Sequence, residues 1–335
     1  MKLTRLTLLR SKTDKVVEVA LLVYPDCQIA AIHGLTDLFR IANDWAAYPH
    51  EDDRHCRIRV THWQLNPASG RIECCWDSDP ADAHQPAFAI APPSVVMPER
   101  MSDMPREAAW LAELHGRGVI VCSICAGAFV LAQTGLLARR RITTHWAFAE
   151  LLSRTCPDAH VASENIVLDD GDVITAGAIL AWNDLGFLIV DRVMGANVML
   201  ATSRFMLSEG VRDDQRPLEG FLPRLDHDDD AILETQHLIL STPGINHTIA
   251  SLAGISCLTE RTFIRRFQKA TGLNPANYVR QVRMTKAKDA LRLGNRPIAL
   301  VAKELGYDDV ISFRKAFQNV VGMSPAAYRQ HFRTK

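Results

Sequence analysis

The chain has 335 residues, 47% of them hydrophobic and 23% charged, which excludes a disordered or fibrous protein and points to two domains rather than one. The formal net charge is zero, yet residues 231–335 hold 16 Lys and Arg against 6 Asp and Glu, leaving 22 basic and 32 acidic residues in 1–230. Halves of opposite sign imply two tasks, and a basic module of this size is the electrostatic footprint of a nucleic-acid binder.

No apolar run reaches the length of a membrane span, and the first 15 residues read as a tail without a signal-peptide core, so the expected location is the cytoplasm and no membrane partner is expected. The eight cysteines show no disulfide-scaffold spacing and suit a reducing compartment.

In chain order, VVEVALLVY (16–24) reads as a buried strand and 29–43 as a helix. Strands follow at 57–65 and 87–91, a helix at 105–115, a strand at 119–123 and a helix at 126–138. Such alternation predicts an α/β domain with a mainly parallel sheet, spanning 16–208, whose ligands would sit beyond the strand carboxyl ends. The run CSICAGAF (122–129) places Cys125 at one such end, at a tight strand-to-helix turn that can expose a thiol and lower its pKa. His33, Asp37, Trp146, Trp182, Asn183 and Asp184 flank other strand ends and are candidate cavity residues. Residues 169–172, Asp-Asp-Gly-Asp, read as a hairpin turn rather than a calcium loop. Residues 193–207 read as one helix available for a dimer surface.

The stretch EGVRDDQRPLEGFLPRLDHDDD (209–230) has linker composition up to 229 and ends in an acidic helix start. Its His227 reads as part of that cap rather than as a metal ligand, and neither metal nor cofactor is expected.

Residues 230–335 repeat at an offset of 50. Phe263, Phe267, Gly272, Pro275 and Tyr278 return as Phe313, Phe317, Gly322, Pro325 and Tyr328. Each copy predicts a short helix, a turn and a second helix with paired Phe in the core, closed by a Gly C-cap and followed by an N-cap–Pro start. That is a helix-turn-helix, twice. Opposite the Phe stripe lie Arg261, Ile264 and Arg265, matched by Ile311 (or Val310), Arg314 and Lys315. Arginine can hold a guanine edge with two bonds, and aliphatic tips can meet thymine methyls. Arg266, Lys269 and Arg280 are placed to contact phosphates. A single basic helix over 275–293 would carry the two units into successive major grooves about 34 Å apart, reading an asymmetric site on double-stranded DNA.

TERTFIRRFQKATGLNPANYVRQVRMTKAKDAL followed by LVAKELGYDDVISFRKAFQNVVGMSPAAYR resembles the DNA-binding domain of AraC/XylS transcription regulators. That resemblance implies a transcription factor, often an activator that contacts RNA polymerase, with a homodimer as the expected assembly. SICAGAFVLAQTGLLARRRITTHW resembles the PfpI/ThiJ group of the class I glutamine amidotransferase-like fold, and most closely the N-terminal domain of the GlxA-type AraC branch. LVYPDCQIAAIHGLTDLFRIAN and DGDVITAGAILAWNDLG extend the likeness over about 16–207. It implies a flavodoxin-like α/β fold, a nucleophile-position cysteine at Cys125, a histidine at His145, and small nitrogen-containing metabolites as effectors.

The enzymes of this group carry an acid after the first strand, whereas this chain has Gln28-Ile29-Ala30-Ala31, and Ala126 stands where hydrolases often have His. A cysteine nucleophile needs a base and something to orient it. The expectation is therefore a non-enzymatic sensor in which Cys125, His145, His33, Asp37, Trp146 and Trp182 line an effector pocket. The alternatives are a buried structural cysteine, a cysteine amidase or hydrolase joined to a DNA-binding domain, and a Cys122/Cys125 redox switch.

Overall fold

The computed structural model describes residues 15–47, 56–80, 83–208 and 214–332. The expected N-terminal tail, apart from Lys15, lies outside them. Two compact units, Met1–Gln215 and Arg216–Lys335, divide the chain.

The first unit opens with β1 (Lys15–Val23), α1 (Ile29–Ala46), β2 (Cys56–Asn66), β3 (Arg71–Asp77) and β4 (Pro86–Ala91). It continues with α2 (Pro105–Gly116), β5 (Ile120–Ile124), α3 (Ala128–Ala132), β6 (Arg141–Ile142), α4 (Ala149–Thr155), β7 (His160–Val161), β8 (Val167–Asp169), β9 (Val173–Ala176), α5 (Trp182–Met194) and α6 (Ala196–Phe205). Seven strands form one sheet in the order β3-β2-β1-β4-β5-β9-β8. β2, β1, β4, β5 and β9 run parallel, and β3 and β8 close the two edges antiparallel. Residues 19–22 of β1 are all fully buried, as a strand covered on both faces requires. α1, α5 and α6 pack together, and α2 and α3 pack on one another and on β5. The flavodoxin-like α/β expectation holds.

Two helices differ from their sequence expectation. The helix expected over 126–138 starts with a 3-10 turn at Cys125–Gly127 and is α-helical only for Ala128–Ala132, and the chain turns at Gly135, whose φ is +76°. The helix expected over 193–207 is interrupted by Gly195 at φ +91°, which ends α5 and starts α6. The 169–172 hairpin is as expected, with Gly171 at φ +93° between β8 and β9.

The second unit is helical: α7 (Asp230–Ser241), α8 (Ile249–Ile255), α9 (Glu260–Thr271), α10 (Pro275–Leu293), α11 (Ile298–Glu304), α12 (Val310–Val321) and α13 (Pro325–Phe332). It has two separate cores. Phe263, Phe267, Tyr278 and Val282 belong to the first, and Met284, Leu291, Phe313, Phe317 and Tyr328 to the second. α10 contributes to both. His227 hydrogen-bonds Gln236 (2.6 Å) and accepts from the Asp229 amide (3.3 Å), so it belongs to the start of α7.

The stretch read as a linker is largely anchored, with 209–213 outside the described residues. Gln215, 2% exposed, donates from Nε2 to the carbonyls of Thr144 (3.0 Å) and Asn165 (2.9 Å). A Cβ on Gly177 would fall 1.9 Å from that nitrogen, so only glycine leaves room for it. Downstream, the Lys288 ammonium donates to the carbonyls of Arg216 and Glu219 (2.7 Å each), and Gln236 donates to Arg224 O (2.9 Å). Composition alone misses this because backbone carbonyls, which have no sequence signature, do the holding.

Candidate nucleic-acid interface and ligand site

The two helix-turn-helix units are closed by matching bonds. In the first, the Leu258 amide donates to Ala253 O (2.9 Å) and Cys257 N to Gly254 O (3.1 Å). In the second, Tyr307 N donates to Ala302 O (3.0 Å) and Gly306 N to Lys303 O (3.1 Å). The turn needs a left-handed residue, supplied by Gly306 at φ +76° in one copy and by Cys257 at φ +53° in the other. α9 is capped by Thr259, and α12 by Asp309, whose carboxylate accepts from the Ile311 and Ser312 amides and is thereby held below the usual carboxylate range. Both helices end on left-handed glycines, Gly272 and Gly322, whose amides donate to Gln268 O and Gln318 O (2.9 Å each).

This frame buries Phe263, Phe267, Phe313 and Phe317 completely and turns the opposite faces outward. Arg261, Arg265 and Lys269 are exposed on α9 with Ile264 half-buried beside them, and Arg280 is exposed on α10. On α12, Arg314 and Lys315 are exposed, and Ile311 is 74% exposed. An isoleucine so uncovered at the N-terminal end of a basic helix face suits an apolar contact made only in a complex.

Arg266 departs from its expected place. Its guanidinium donates to both carboxylate oxygens of Asp229 (2.6 and 2.9 Å), tying α9 to the cap of α7. The pair holds Asp229 below the usual carboxylate range. Arg266 is therefore a structural ion pair rather than a free phosphate contact, a distinction the sequence does not carry because Asp229 is 37 residues away.

In the first unit the strand-turn-helix at Cys125 is built as an elbow. Cys125 takes φ +54°, strained for a residue with a Cβ, and a Cβ on Gly127 would meet Ala91 O at 2.3 Å. The thiol nevertheless does not behave as expected of an exposed elbow. It is 2% exposed, and burial pushes it up to about 12 against the smaller opposing pull of the Ala126 amide. Cys122 is also pushed up to about 12 by burial. Two thiols protonated at neutral pH are poor nucleophiles and poor redox partners.

His145 does not repair this. Its Nδ1 accepts from the Ala147 amide (3.2 Å), its ring tilts against Trp146 and Phe148 at 5.1 Å each, and burial lowers its pKa. Thr144, next to it, donates to Cys125 O (2.8 Å), a backbone tie that leaves the sulfur out.

The candidate ligand residues therefore separate into two places. His33 and Asp37 line a cavity of about 720 Å³ beside α1, β2 and β3, with Arg40, Asp44, His62 and Trp76. Cys125, His145, Trp146 and Trp182 line neither this cavity nor a second one of about 190 Å³. Trp182 packs over α1, where a Cβ on Gly34 would come within 2.6 Å of its ring. Asn183 donates to Ser208 Oγ (3.0 Å), and Asp184 is 1% exposed. Trp76 escaped the sequence reading because β3, a short edge strand of polar residues and cysteines, has no run of apolar residues to announce it, and Arg40 and His62, on the legible α1 and β2, because nothing in their own elements marks a cavity.

Among the described residues, one group has ligand atoms close enough to share an ion, Cys74, Asp77 and His84. The Arg59 guanidinium already occupies it, donating to Asp77 (2.6 and 3.1 Å) and lying 3.4 Å from His84 Nδ1.

Comparison with known proteins agrees with both units. The helix-turn-helix domain family matches residues 252–331, and the DJ-1/PfpI family matches residues 84–192. The transcriptional regulator GlxA of Rhizobium meliloti is 26% identical over 224 residues, 66% of this chain and 68% of that one. The transcriptional regulator ArgR of Pseudomonas aeruginosa is 25% identical over 233 residues, 67% and 68% of the two chains. A solved AraC family transcriptional regulator from Pseudomonas putida aligns at 15% identity with a TM-score of 0.45, covering 57% of this chain and 99% of that one. The chain thus joins a DJ-1/PfpI-family domain to an AraC-type helix-turn-helix domain, the architecture of a DNA-binding transcription regulator.

Proposed function

We propose that this chain is a one-component, cytoplasmic regulator that binds an asymmetric DNA site through α9 and α12 and answers to a small nitrogen-containing metabolite held by its first unit. The observation that carries the DNA half is the recurrence, on two helices in matching frames, of an exposed face with an aliphatic and two cationic side chains. Arg261, Ile264 and Arg265 read one major groove, and Ile311, Arg314 and Lys315 the next, with α10 as the rigid spacer. Lys269 and Arg280 hold phosphates, which sets affinity and salt dependence without choosing sequence.

The metabolite acts only through a difference in affinity for two arrangements of the regulator. The AraC/XylS resemblance supports a homodimer that activates transcription and contacts RNA polymerase. Retention of the elbow without a reactive thiol supports a sensor in preference to a hydrolase. Binding to randomised operator duplexes across a salt series tests the DNA assignment. Arg265→Ala should relax selection at one base pair and cost about 1–3 kcal/mol on the preferred site, while Lys269→Ala should weaken all sequences alike and reduce the salt slope by about 1. Unchanged base selection in Arg265→Ala would remove that residue from the reading face.

A further inference from the structure

We propose that the spacing this regulator accepts between its two half-sites is set by contacts in the seams on either side of α10, with Arg283 and Gly244 as the specificity-determining positions. This rests on the reading that α9 and α12 enter successive major grooves.

At about 100° per residue, the α10 residues of the first core (Tyr278, Val279, Val282) and those of the second (Met284, Ala287, Leu291) point about 165° apart. The two halves therefore sit on nearly opposite faces of one helix. Such a helix fixes how far apart they lie along its axis, but each half touches it by a narrow stripe and could rock about that stripe. A base edge is read only when the reading helix is turned correctly into the groove, so the rocking has to be stopped elsewhere. Two seams remain between the faces, and both are closed. Arg283 lies in one, and Thr285 and Lys288 lie in the other.

In the first seam the Arg283 guanidinium donates to Pro243 O (3.2 Å) and Ile245 O (2.9 Å), in the loop between α7 and α8 of the first half. Its cation also lies 5.6 Å from the ring centroid of Tyr307, in the turn of the second helix-turn-helix. That loop and that turn meet backbone to backbone. A Cβ on Gly244 would fall 2.2 Å from Glu304 O, and one on Gly306 would fall 2.6 Å from Gly244 O. Gly306 also needs glycine for its φ of +76°, whereas Gly244 has no positive φ. Close approach of the two halves is what calls for glycine at 244.

In the second seam Phe221 stands edge-on to Tyr278 of the first core (4.8 Å), and its amide donates to Thr285 Oγ1 (3.1 Å). Five residues earlier, the Arg216 guanidinium lies against the glycine that ends α12, where a Cβ on Gly322 would come within 3.0 Å of it. Lys288, 7% exposed, holds the stretch between them through the carbonyls of Arg216 and Glu219. The halves are thus braced on both sides and move as one body. One base pair more or less displaces a half-site by about 3.4 Å along the duplex and about 34° around it, which a braced pair cannot follow.

The test uses the full-length chain and the duplex it selects from a randomised library. Footprinting locates the two half-sites, and the duplex is remade with one base pair deleted, and with one and two inserted, between them. The parent should bind each altered duplex at least tenfold more weakly. Gly244→Ala drives a Cβ into a backbone oxygen that has no flexible end to yield, so the halves must part by about 1 Å at that seam. Arg283→Ala releases the loop from the Tyr307 turn. Each variant should cut the tenfold penalty to threefold or less, or move the preference to a neighbouring spacing. Affinity for a duplex carrying one half-site alone should stay within threefold of the parent's, which loss of folding would not allow. Arg283 belongs to neither core, so Arg283→Ala keeps the test valid if circular dichroism shows that Gly244→Ala fails to fold. Lys269→Ala, weaker on all sequences, should keep the parent's ratio; a ratio that falls equally there would mean that weak binding alone relaxes spacing, and would overturn the assignment. A tenfold penalty retained in the folded seam variants would also overturn it, leaving α10 as the spacer and the reading of α9 and α12 intact. So would a parent indifferent to spacing. Protection of a single half-site by the parent would instead remove the reading of α9 and α12, and the proposal with it.

Discussion

Phe317→Ala is the substitution that best separates the two halves of the DNA-binding unit. Phe317 is fully buried, with its ring centroid 5.8 Å from Phe313 and 5.5 Å from Tyr328, inside a core that shares only the α10 scaffold with its neighbour. Truncating a buried Phe costs about 3–5 kcal/mol, the lost transfer energy plus the cavity left behind. At about 0.05–0.15 kcal/mol per residue, a half-unit of about 50 residues holds about 3–8 kcal/mol. The loss is therefore of the order of everything that fixes α12, while the core around Phe263, Phe267 and Tyr278 keeps its contacts. Footprinting on the operator should show protection lost over one half-site and retained, at lower affinity, over the other. Phe267→Ala should remove the opposite half. Backbone amide exchange of the free protein should show α11 to α13 opening in the first variant and α8 to α9 in the second. If Phe317→Ala erases protection over both halves, or if both variants lose the same half, the two cores fold as one and the argument fails.

Arg266→Ala should lower the Tm of the second unit by freeing α9 from the α7 cap, yet leave the salt slope of DNA binding at its parent value; a slope reduced by about 1 would return Arg266 to the phosphate contacts. Cys125 should resist an alkylating reagent at pH 8 in the folded protein and react once denaturant is added, with mass mapping to separate it from the exposed Cys75 and Cys257; rapid labelling of the native chain would refute the buried thiol. Acid should destabilise the first unit through His62. Its folded pKa of about 4 lies below the ordinary 6.5, so the unfolded chain takes up the proton first, and stability is complete above pH 6.5 and declines toward pH 4. His145, lowered by burial, acts in the same direction, so His62→Gln should flatten part of that decline in a denaturant titration; an unchanged slope would mean that His62 is not buried neutral.

What the sequence made legible followed from periodicity and local caps. The repeat of Phe, Gly, Pro and Tyr at an offset of 50 placed both helix-turn-helix units, because buried rings and left-handed C-caps tolerate few other residues. The strand runs of 16–24 and 87–91 were legible because doubly covered parallel strands are continuously apolar. Periodicity failed where a single glycine overrode it, at Gly195 and Gly135, since apolar spacing continues across a break that only the backbone angle records. Burial of the Cys125 sulfur was invisible for another reason. A tight turn after a strand has the same sequence whether its side chain meets solvent or the packed interior of neighbouring elements. The residues of the α1 cavity were only half legible, because Asp37 sits on a helix that could be read, and Trp76 on an edge strand that could not.

The seating of Gln215 and the clasp of Lys288 mean that each unit holds its own end of the stretch between them. A free tether spanning 209–229 would let its ends wander over about 25 Å and would average away a small displacement at either end. Here the last residue of the first unit is locked by its side chain, and the carbonyl of the next residue, Arg216, is held by an ammonium of the second. Thr144, which receives the Gln215 amide, also supports the Cys125 carbonyl, so the elbow and the end of the first unit hang on one residue, and a shift of a few tenths of an ångström in that strand-end loop is felt at Gln215.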